Sequence, residues 1–374
     1  MRSDKYPNQL FKTNINNIVM LRTKIAGIGS YVPEKTVTNH DLQKVMDTTD
    51  EWIQERTGIR ERHYAEKHKE TSTTMGARAA EIAIERAGIS KRDVDFIIFA
   101  TLSPDYYFPG CGVLLQRELG ITDTEIPALD IRNQCSGFVY GLSVADQFIK
   151  TGMYKNILLV GAEIHSMGLD FTTEGRNVTV IFGDGAGAVV LQPTDEEGKG
   201  VLTTKLHSNG TYAEKLAMIN PGAHGGYHSE KMGEDIDWGY PETEYGQMFI
   251  TQHMFDNGQI YPYMDGPFVF KMAVQKFPEV IMEALHSQSL TAADINLLVP
   301  HQANLRISEF VGKKLGLSPA QVWSNIQRYG NTTAASIPIA LCEAVEAGAV
   351  KAGDLVCLAA FGSGFTWGSA LIRW

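Results

Sequence analysis

Four segments in the first half of the chain recur, in the same order, in the second half. The pairs are AGISKRDVDFIIFAT with QSLTAADINLLVPHQ, LDIRNQCSGFVYGLSVADQFIKTG with SNIQRYGNTTAASIPIALCEAVEAG, KNILLVGAE with GDLVCLAAFGSG, and GAGAVVL with WGSALIRW. One such similarity would mean little. Because all four keep their order, the sequence predicts two copies of one α/β unit.

The pattern within each copy predicts how the layers are arranged. The apolar runs are almost continuously aliphatic, which is typical of central strands covered by helices on both faces. The helices rich in Gly, Ala and Ser suit close packing at the centre of the molecule. We therefore predict an α/β fold with five layers, α-β-α-β-α, made of an N-terminal half, 23–195, and a C-terminal half, 196–374.

Two parts of the chain lie outside this duplicated pattern. Residues 1–22 form an N-terminal extension without a strand-like pattern. Residues 218–263 form a long insert in the second half, and its acidic and aromatic residues predict an ordered lid or packing layer. These residues are Glu230, Glu234, Asp235, Asp237, Glu242 and Glu244, together with Tyr227, Trp238, Tyr240, Tyr245, Phe249 and Phe255.

Composition limits the possible partners. The net charge of −10 makes nucleic acid an unexpected partner. No apolar run approaches the roughly 20 residues of a membrane span, so no membrane partner is expected. The four cysteines have no CxxC spacing, which fits a reducing cytoplasm. The ten histidines form no metal-ligand motif, so we expect no metal.

Cys135 lies between the strand-like run IPALDI and a stretch with helical periodicity. A thiol beside a helix N-terminus is favoured as thiolate by the helix dipole, which indicates a nucleophile. The other interpretation is a small apolar residue of the core, since free cysteines are usually buried. The local pattern leaves both open.

Two polar residues of the second half accompany this cysteine. His301 directly follows one apolar strand and Asn331 another, so both are expected at strand C-terminal ends, where sites in such sheets usually form. The duplication places Cys135 and Asn331 at corresponding turns. These residues could therefore meet across a pseudo-two-fold axis.

Six motifs resemble those of the β-ketoacyl-acyl-carrier-protein synthase III family of the thiolase superfamily. They are DEWIQERTGIRERH, QCSGFVYGLSVADQ, VIFGDGAGAVVL, VPHQANLRI, GNTTAAS and FGSGFTWGSALIRW. The resemblance implies the duplicated thiolase-like fold, usually as a homodimer. It also implies decarboxylative condensation of an acyl-CoA primer with malonyl-acyl-carrier protein. Coenzyme A thioesters are then substrates, and no cofactor is expected.

The resemblance assigns roles at the reaction centre. Cys135 matches the acyl-accepting nucleophile, and His301 and Asn331 match its two partners. The backbone N–H groups of Cys135 and Ser363 match an oxyanion hole. His301 Nε2–H and the Asn331 amide are neutral donors that can receive charge on the thioester oxygen during decarboxylation.

The resemblance also implies how the substrates bind. The matching residues are Trp52, Arg56, Arg176 and Asn304 for coenzyme A, Arg306, Lys313 and Lys314 for docking the acidic carrier protein, and Phe108 for the acyl pocket of the partner subunit. Phe108 lies in SPDYYFPG, whose prolines predict a rigid loop.

The sequence departs from the family pattern at three places: Asn133–Gln134 before the nucleophile, Gly362–Ser363–Gly364 near the oxyanion hole, and the long insert. Because of these three departures, the family resemblance does not determine the length or branching of the acyl primer. The alternative closest to the family is an acyl-transferring or non-decarboxylating relative of a specialised pathway. A cysteine protease is disfavoured by the duplicated context of Cys135, and a non-catalytic scaffold by the presence of Cys135, His301 and Asn331 together.

Overall fold

The computed structural model describes residues 21–225, 236–240 and 249–374. The elements before residue 195 are β1 Arg22–Tyr31, β2 Thr36–Thr38, α1 Asn39–Leu42, α2 Asp50–Thr57, β3 Glu61–His63, α3 Ser72–Ala87, β4 Phe96–Ala100, α4 Cys111–Leu119, β5 Ala128–Ile131, α5 Gly137–Lys150, β6 Ile157–Glu163, α6 Arg176–Thr179 and β7 Gly185–Thr194. The later elements are β8 Gly200–Ser208, β9 Leu216–Ala217, α7 Gln252–Asp256, β10 Tyr263–Met264, α8 Gly266–Ser287, β11 Leu297–Pro300, α9 Leu305–Leu315, α10 Ile326–Tyr329, α11 Ser336–Glu346, β12 Leu355–Gly362 and β13 Thr366–Arg373.

Two sheets with the same strand order form the scaffold. The first has the order β1-β7-β6-β4-β5 and the second β8-β13-β12-β11. In both, the first two neighbouring pairs are antiparallel and the next is parallel. A parallel bridge between Leu298 and Val322 stands where the first sheet has β5. The predicted duplication is thus visible in strand order and direction.

Helices separate and cover the two sheets. α3 packs on one face of the first sheet and α8 on one face of the second, while α5 and α11 lie between the sheets. The central core joins residues of both sheets, such as Leu159 and Leu358, to Leu142 of α5 and Leu341 of α11. The observed layers are α-β-α-β-α, and the predicted fold class is confirmed.

The two central helices begin with turns of the same form. Gln134 and Thr333 each have positive φ, 44° and 48°, and each opens a 3₁₀ turn that leads into α5 or α11. Cys135 therefore corresponds to Ala334. One expectation was wrong: Asn331 does not follow a strand, because the preceding residues form α10.

Asn331 is placed instead by pairing with the first half of the chain. Its N–H donates to the Ile181 carbonyl at 2.9 Å, and its carbonyl accepts from the Gly183 N–H at 3.0 Å. A segment of one copy therefore fixes a residue of the other.

The glycines of FGDGAGAVV allow the first sheet to pack closely on the central helices. A Cβ at Gly187 would stand 2.7 Å from the Pro338 Cβ of α11. The first sheet can approach the central helix layer only because no side chain is present there.

The described parts of the insert include a short strand pair at its base and one buried indole. β9 pairs with β10 and closes the base of the insert. Trp238 is buried, and its carbonyl accepts a hydrogen bond from Thr251 Oγ1 at 2.9 Å. Of the predicted insert residues, Tyr227, Glu230, Glu234, Asp235, Glu242, Glu244 and Tyr245 lie outside the described residues, as does most of the 1–22 extension.

No helix within the described ranges is both long and apolar enough to cross a membrane.

Candidate active site

A cavity of about 1450 Å³ opens where the strand ends of the two sheets meet. Cys135, His301, Asn331 and Ser363 all line it, so the structure brings the predicted reaction centre together. The base of the insert forms another wall, through residues that include Leu216, Ala217, Met218, Tyr263 and Met264.

Cys135 lies in the turn that precedes α5 and is buried. Burial and, to a smaller degree, the nearby Glu163 carboxylate raise the pKa of its thiol to about 12. Loss of hydration from the charged form therefore opposes the thiolate that the helix N-terminus is expected to favour.

Two backbone amides act on the Cys135 sulfur. The N–H groups of Ser363 and of Cys135 itself hydrogen-bond to it, and both lower the pKa of the thiol, though by less than burial raises it. They are the two groups that the sequence assigns to the oxyanion hole. The Ser363 hydroxyl donates to the Leu216 carbonyl of β9, which ties this loop to the base of the insert.

His301 directly follows β11, and its imidazole is buried. Nδ1 lies 2.6 Å from the Ser336 hydroxyl. Nε2 is also buried, and no described residue hydrogen-bonds to it. Burial and the neighbouring His165 lower the pKa of His301 to about 3, so the ring is neutral at physiological pH.

The hydrogen bonds of Asn331 determine how its amide is turned. Its Oδ1 accepts from the backbone N–H of Thr333 at 2.8 Å. A carbonyl oxygen satisfies that donor and an NH₂ group cannot, so Nδ2 is left as the donor that remains to be used. Asn331 therefore contributes a neutral donor to the cavity that His301 also lines.

Glu163, at the end of β6, is a site residue that sequence reasoning missed. Its buried carboxylate accepts hydrogen bonds from the backbone N–H groups of Leu102, Ser103 and Ala334. The Thr101 and Ser103 hydroxyls also donate to it. It joins the loop after β4 to the turn before α11. The run GAE at a strand end carries no signal for this role.

The predicted coenzyme end contains one indole and two guanidinium groups. The Cζ atoms of Arg56 and Arg176 lie 4.3 and 5.5 Å from the Trp52 ring centroid. Arg176 also pairs with Asp47, with a nitrogen–oxygen distance of 3.4 Å. Trp52 and Arg56 line the cavity, so this cluster stands at one end of it.

Asn304 lines the same cavity, and its side chain already makes two internal hydrogen bonds. Its Oδ1 accepts from Arg306 N at 2.9 Å and caps α9. Its Nδ2 donates to the Arg56 carbonyl at 2.8 Å. Asn304 thus holds α9 against the end of α2, and a contact with coenzyme A stays a prediction.

The predicted docking residues lie on the exposed face of α9. Arg306 also lines the cavity, with its Cζ 5.5 Å from the Phe270 ring centroid. Lys313 and Lys314 are exposed. The pKa of the Glu279 carboxyl of α8 is lowered mainly by its hydrogen bond to Lys276, and least by the charge of Lys314.

Phe108 does not line the cavity of its own chain. Its side chain is 81% exposed, in the loop between β4 and α4. The neighbouring Tyr107 does line the cavity and stacks on Phe249 of the insert at 5.5 Å. Phe108 is therefore not buried within its own subunit.

Comparison with known proteins identifies the relatives of this chain. Two family models match: 3-oxoacyl-[acyl-carrier-protein] synthase III over residues 129–210, and the C-terminal model of the same family over 285–374. A β-ketoacyl-[acyl-carrier-protein] synthase III of Acidiphilium cryptum is 45% identical over 355 residues, which cover 95% of this chain and 100% of that protein.

Solved structures agree with this likeness. The 3-oxoacyl-[acyl-carrier-protein] synthase III of Aquifex aeolicus matches with a TM-score of 0.81 and 40% identity over 94% of this chain and 100% of that one. The priming β-ketosynthase of the R1128 polyketide pathway matches with a TM-score of 0.80 and 31% identity, over 94% and 96%.

Proposed function

The chain belongs to the β-ketoacyl-acyl-carrier-protein synthase III family of acyltransferase-type condensing enzymes of fatty-acid biosynthesis, and from that premise we propose how its residues act. Cys135 accepts the acyl group of an acyl-CoA primer. The acyl-enzyme then condenses with malonyl-acyl-carrier protein, with loss of carbon dioxide. The observation that carries the proposal is the shared cavity of Cys135, His301 and Asn331, with an unbonded His301 Nε2.

Loading begins with attack of the Cys135 sulfur on the thioester carbonyl carbon. The carbonyl oxygen becomes an oxyanion and accepts from the Cys135 and Ser363 N–H groups. The bond to the coenzyme A sulfur breaks, and that sulfur takes up the proton that the Cys135 thiol gives up. The products are the acyl-cysteine and free coenzyme A. Burial lowers the pKa of His301, so its neutral ring is a poor acceptor for this proton.

Condensation uses the two neutral donors. Loss of carbon dioxide from the malonyl group leaves its electron pair on the α-carbon and the thioester oxygen as an enolate. His301 Nε2–H and Asn331 Nδ2–H donate to that oxygen. The α-carbon attacks the carbonyl carbon of the acyl-cysteine, the carbon–sulfur bond breaks, and the released Cys135 thiolate takes up a proton from water. The product is a β-ketoacyl-carrier protein.

We further propose that the Trp52, Arg56 and Arg176 cluster binds the nucleotide of coenzyme A. The indole offers a face for the adenine, and the guanidinium groups suit phosphate oxygens. Arg306, which lines the cavity, and the exposed Lys313 and Lys314 on the same helix dock the acidic carrier protein. Coenzyme A thioesters are substrates in this scheme, and no step uses a cofactor.

A homodimer is proposed from the edge of the first sheet. β5 is the outermost strand, and Leu129 on it is exposed. Tyr106, Phe108 and Val113 are exposed nearby in sequence. An open edge strand with large apolar residues is a surface that a second copy would cover. Phe108 would then reach the partner's cavity.

The cellular location and the primer are also proposals. The four cysteines are free, and Cys135 must stay reduced to act, so we place the reaction in the cytoplasm. A specialised pathway is the second candidate, because the insert walls the cavity in which the acyl group would lie.

The test is intact-mass analysis after exposure to acyl-CoAs of graded length. One acyl mass should appear on the wild-type chain and on Cys342→Ala, and none on Cys135→Ala. Peptide mapping that places the acyl group on Cys111, Cys342 or Cys357 would overturn the assignment. Release of carbon dioxide from malonyl-carrier protein separates a condensing enzyme from a mere acyl transferase.

A further inference from the structure

The two ring nitrogens of His301 have different surroundings. Nδ1 faces the Ser336 hydroxyl at 2.6 Å, and Nε2 is buried without a partner among the described residues. A buried polar atom without a hydrogen bond is costly unless a ligand supplies one. Because His301 lines the cavity, a group bound there can supply the hydrogen bond that Nε2 lacks.

Which nitrogen carries the single proton decides what His301 can do. The ring is neutral, so it exists as either the Nε2–H or the Nδ1–H tautomer. Only the Nε2–H tautomer offers a donor to an enolate oxygen. The other tautomer would present a lone pair and repel that oxygen.

The hydrogen bonds of Ser336 favour the first tautomer. Its buried Oγ accepts from the backbone N–H of Gln302 at 3.4 Å. Among the hydrogen bonds of the described residues, its own proton has no acceptor other than His301 Nδ1. If that proton points at Nδ1, then Nδ1 must be the unprotonated nitrogen.

The duplication provides an internal comparison. Both central helices begin with the same turn, and the residue of α5 that corresponds to Ser336 is Gly137. Gly137 packs against the second turn, where a Cβ would stand 3.5 Å from the Ala334 Cβ. The hydroxyl is therefore not required to form the turn, and it is present only in the copy that faces the histidine.

We propose that Ser336 is a positioning residue that holds His301 in the Nε2–H tautomer and thereby supplies the enolate donor of the condensation. This inference rests on the proposed function, in which His301 is a donor. The residue acts through His301 and touches no reacting atom.

The test reads the tautomer directly, on the full chain without substrate. Histidine ¹⁵N labelling with long-range ¹H–¹⁵N correlation distinguishes the two tautomers, and a His301→Ala spectrum identifies the resonance. The wild type should show Nε2–H. Ser336→Ala should shift His301 toward the Nδ1–H form, and Ser336→Thr, which keeps the hydroxyl, should restore the wild-type pattern.

Kinetics provide the second readout. Ser336→Ala should lower kcat for malonyl decarboxylation by about 10- to 100-fold, by analogy with the loss of a group that orients a metal-ligating histidine. Acylation of Cys135 should change little, because it does not use this donor. Ser336→Thr should recover the decarboxylation rate, which a purely structural defect would not predict.

The outcomes separate this inference from the proposed function. An Nδ1–H resonance in the wild type, or an unchanged tautomer and rate in Ser336→Ala, would overturn the role of Ser336. Failure of the wild type to be acylated on Cys135 would overturn the proposed function, while the tautomer would still be measurable. A melting temperature for each variant identifies any that fails to fold.

Discussion

Gly362 lies directly against Cys135. A Cβ at position 362 would stand 2.4 Å from the Cys135 Cβ and 2.7 Å from its Sγ. Gly362 ends β12, and Cys135 precedes α5, so the contact joins the second sheet to the central helix layer. Because glycine has no side chain, the Cys135 side chain occupies the space that a Cβ at position 362 would need. This contact predicts the effect of replacing Gly362 by alanine.

Gly362→Ala should lower the rate of Cys135 acylation by about 10²-fold, the scale for displacing a reacting group by roughly 1 Å. The measurement is time-resolved intact mass with acyl-CoA. Gly210→Ala is the matched control, because no atom lies within 4 Å of a Cβ built there. Equal rates in both variants would show that Gly362 leaves room for a side chain.

The reactivity of unliganded Cys135 should keep rising with pH. Its pKa is raised from 9.0 to about 12, so the thiolate fraction should increase about tenfold per pH unit between pH 8 and 11. Iodoacetamide alkylation of Cys135, followed by peptide mass, tests this. A plateau near pH 9 would contradict the raised pKa. Glu163→Gln removes the neighbouring negative charge and should therefore lower the pKa of the thiol.

Loss of either neutral donor should separate the two half-reactions. His301→Ala and Asn331→Ala should reduce malonyl decarboxylation by about 10²–10³-fold, the effect of removing one oxyanion donor, and retain at least part of the acylation of Cys135. Radiolabelled carbon dioxide release and intact mass measure the two steps. His286→Ala, an exposed histidine at the end of α8, is the control. Normal condensation in either donor variant would refute its role.

The docking surface should respond to charge reversal in a graded way. Arg306→Glu with Lys313→Glu should raise KM for malonyl-carrier protein by about tenfold at low ionic strength and leave KM for acyl-CoA nearly unchanged. Lys314→Glu should have a smaller effect on the same KM, because it reverses one charge and not two. Lys91→Glu with Lys351→Glu is the control. Both lysines are exposed and precede β4 and β12, so they lie at the N-terminal ends of these strands, away from the C-terminal ends beside the cavity. An equal effect of the control pair would indicate long-range charge alone.

Phe108→Ala should shift primer preference toward longer chains, because it would remove a ring from the partner's acyl pocket. Each methylene newly buried is worth about 0.8 kcal/mol, so kcat/KM should shift severalfold per two-carbon step. Met153→Ala, another exposed apolar residue, should leave the chain-length profile unchanged. The same profile in Phe108→Ala and the wild type would leave the pocket to other residues, such as Tyr107 and the insert.

The arrangement of the fold could be predicted from the sequence, because its signals are local. Runs of aliphatic residues and small-residue helices report the environment of each element along the chain. Their repetition predicts two like units, and strand order and direction do repeat. His301 could be placed at a strand end for the same reason. Asn331 could not, since α10 interrupts the pattern that a strand would continue.

The chemical state of the site was decided by the tertiary structure alone. The pKa of Cys135 depends on its burial and on Glu163, and the tautomer of His301 on a hydroxyl 35 residues later in the chain. The Glu163–Ala334 contact joins residues 171 apart. Desolvation and hydrogen bonding act through space between segments that no local pattern connects. The sequence therefore indicated the three residues of the reaction centre, whereas their contact with Glu163, their protonation and their orientation followed only from the tertiary structure.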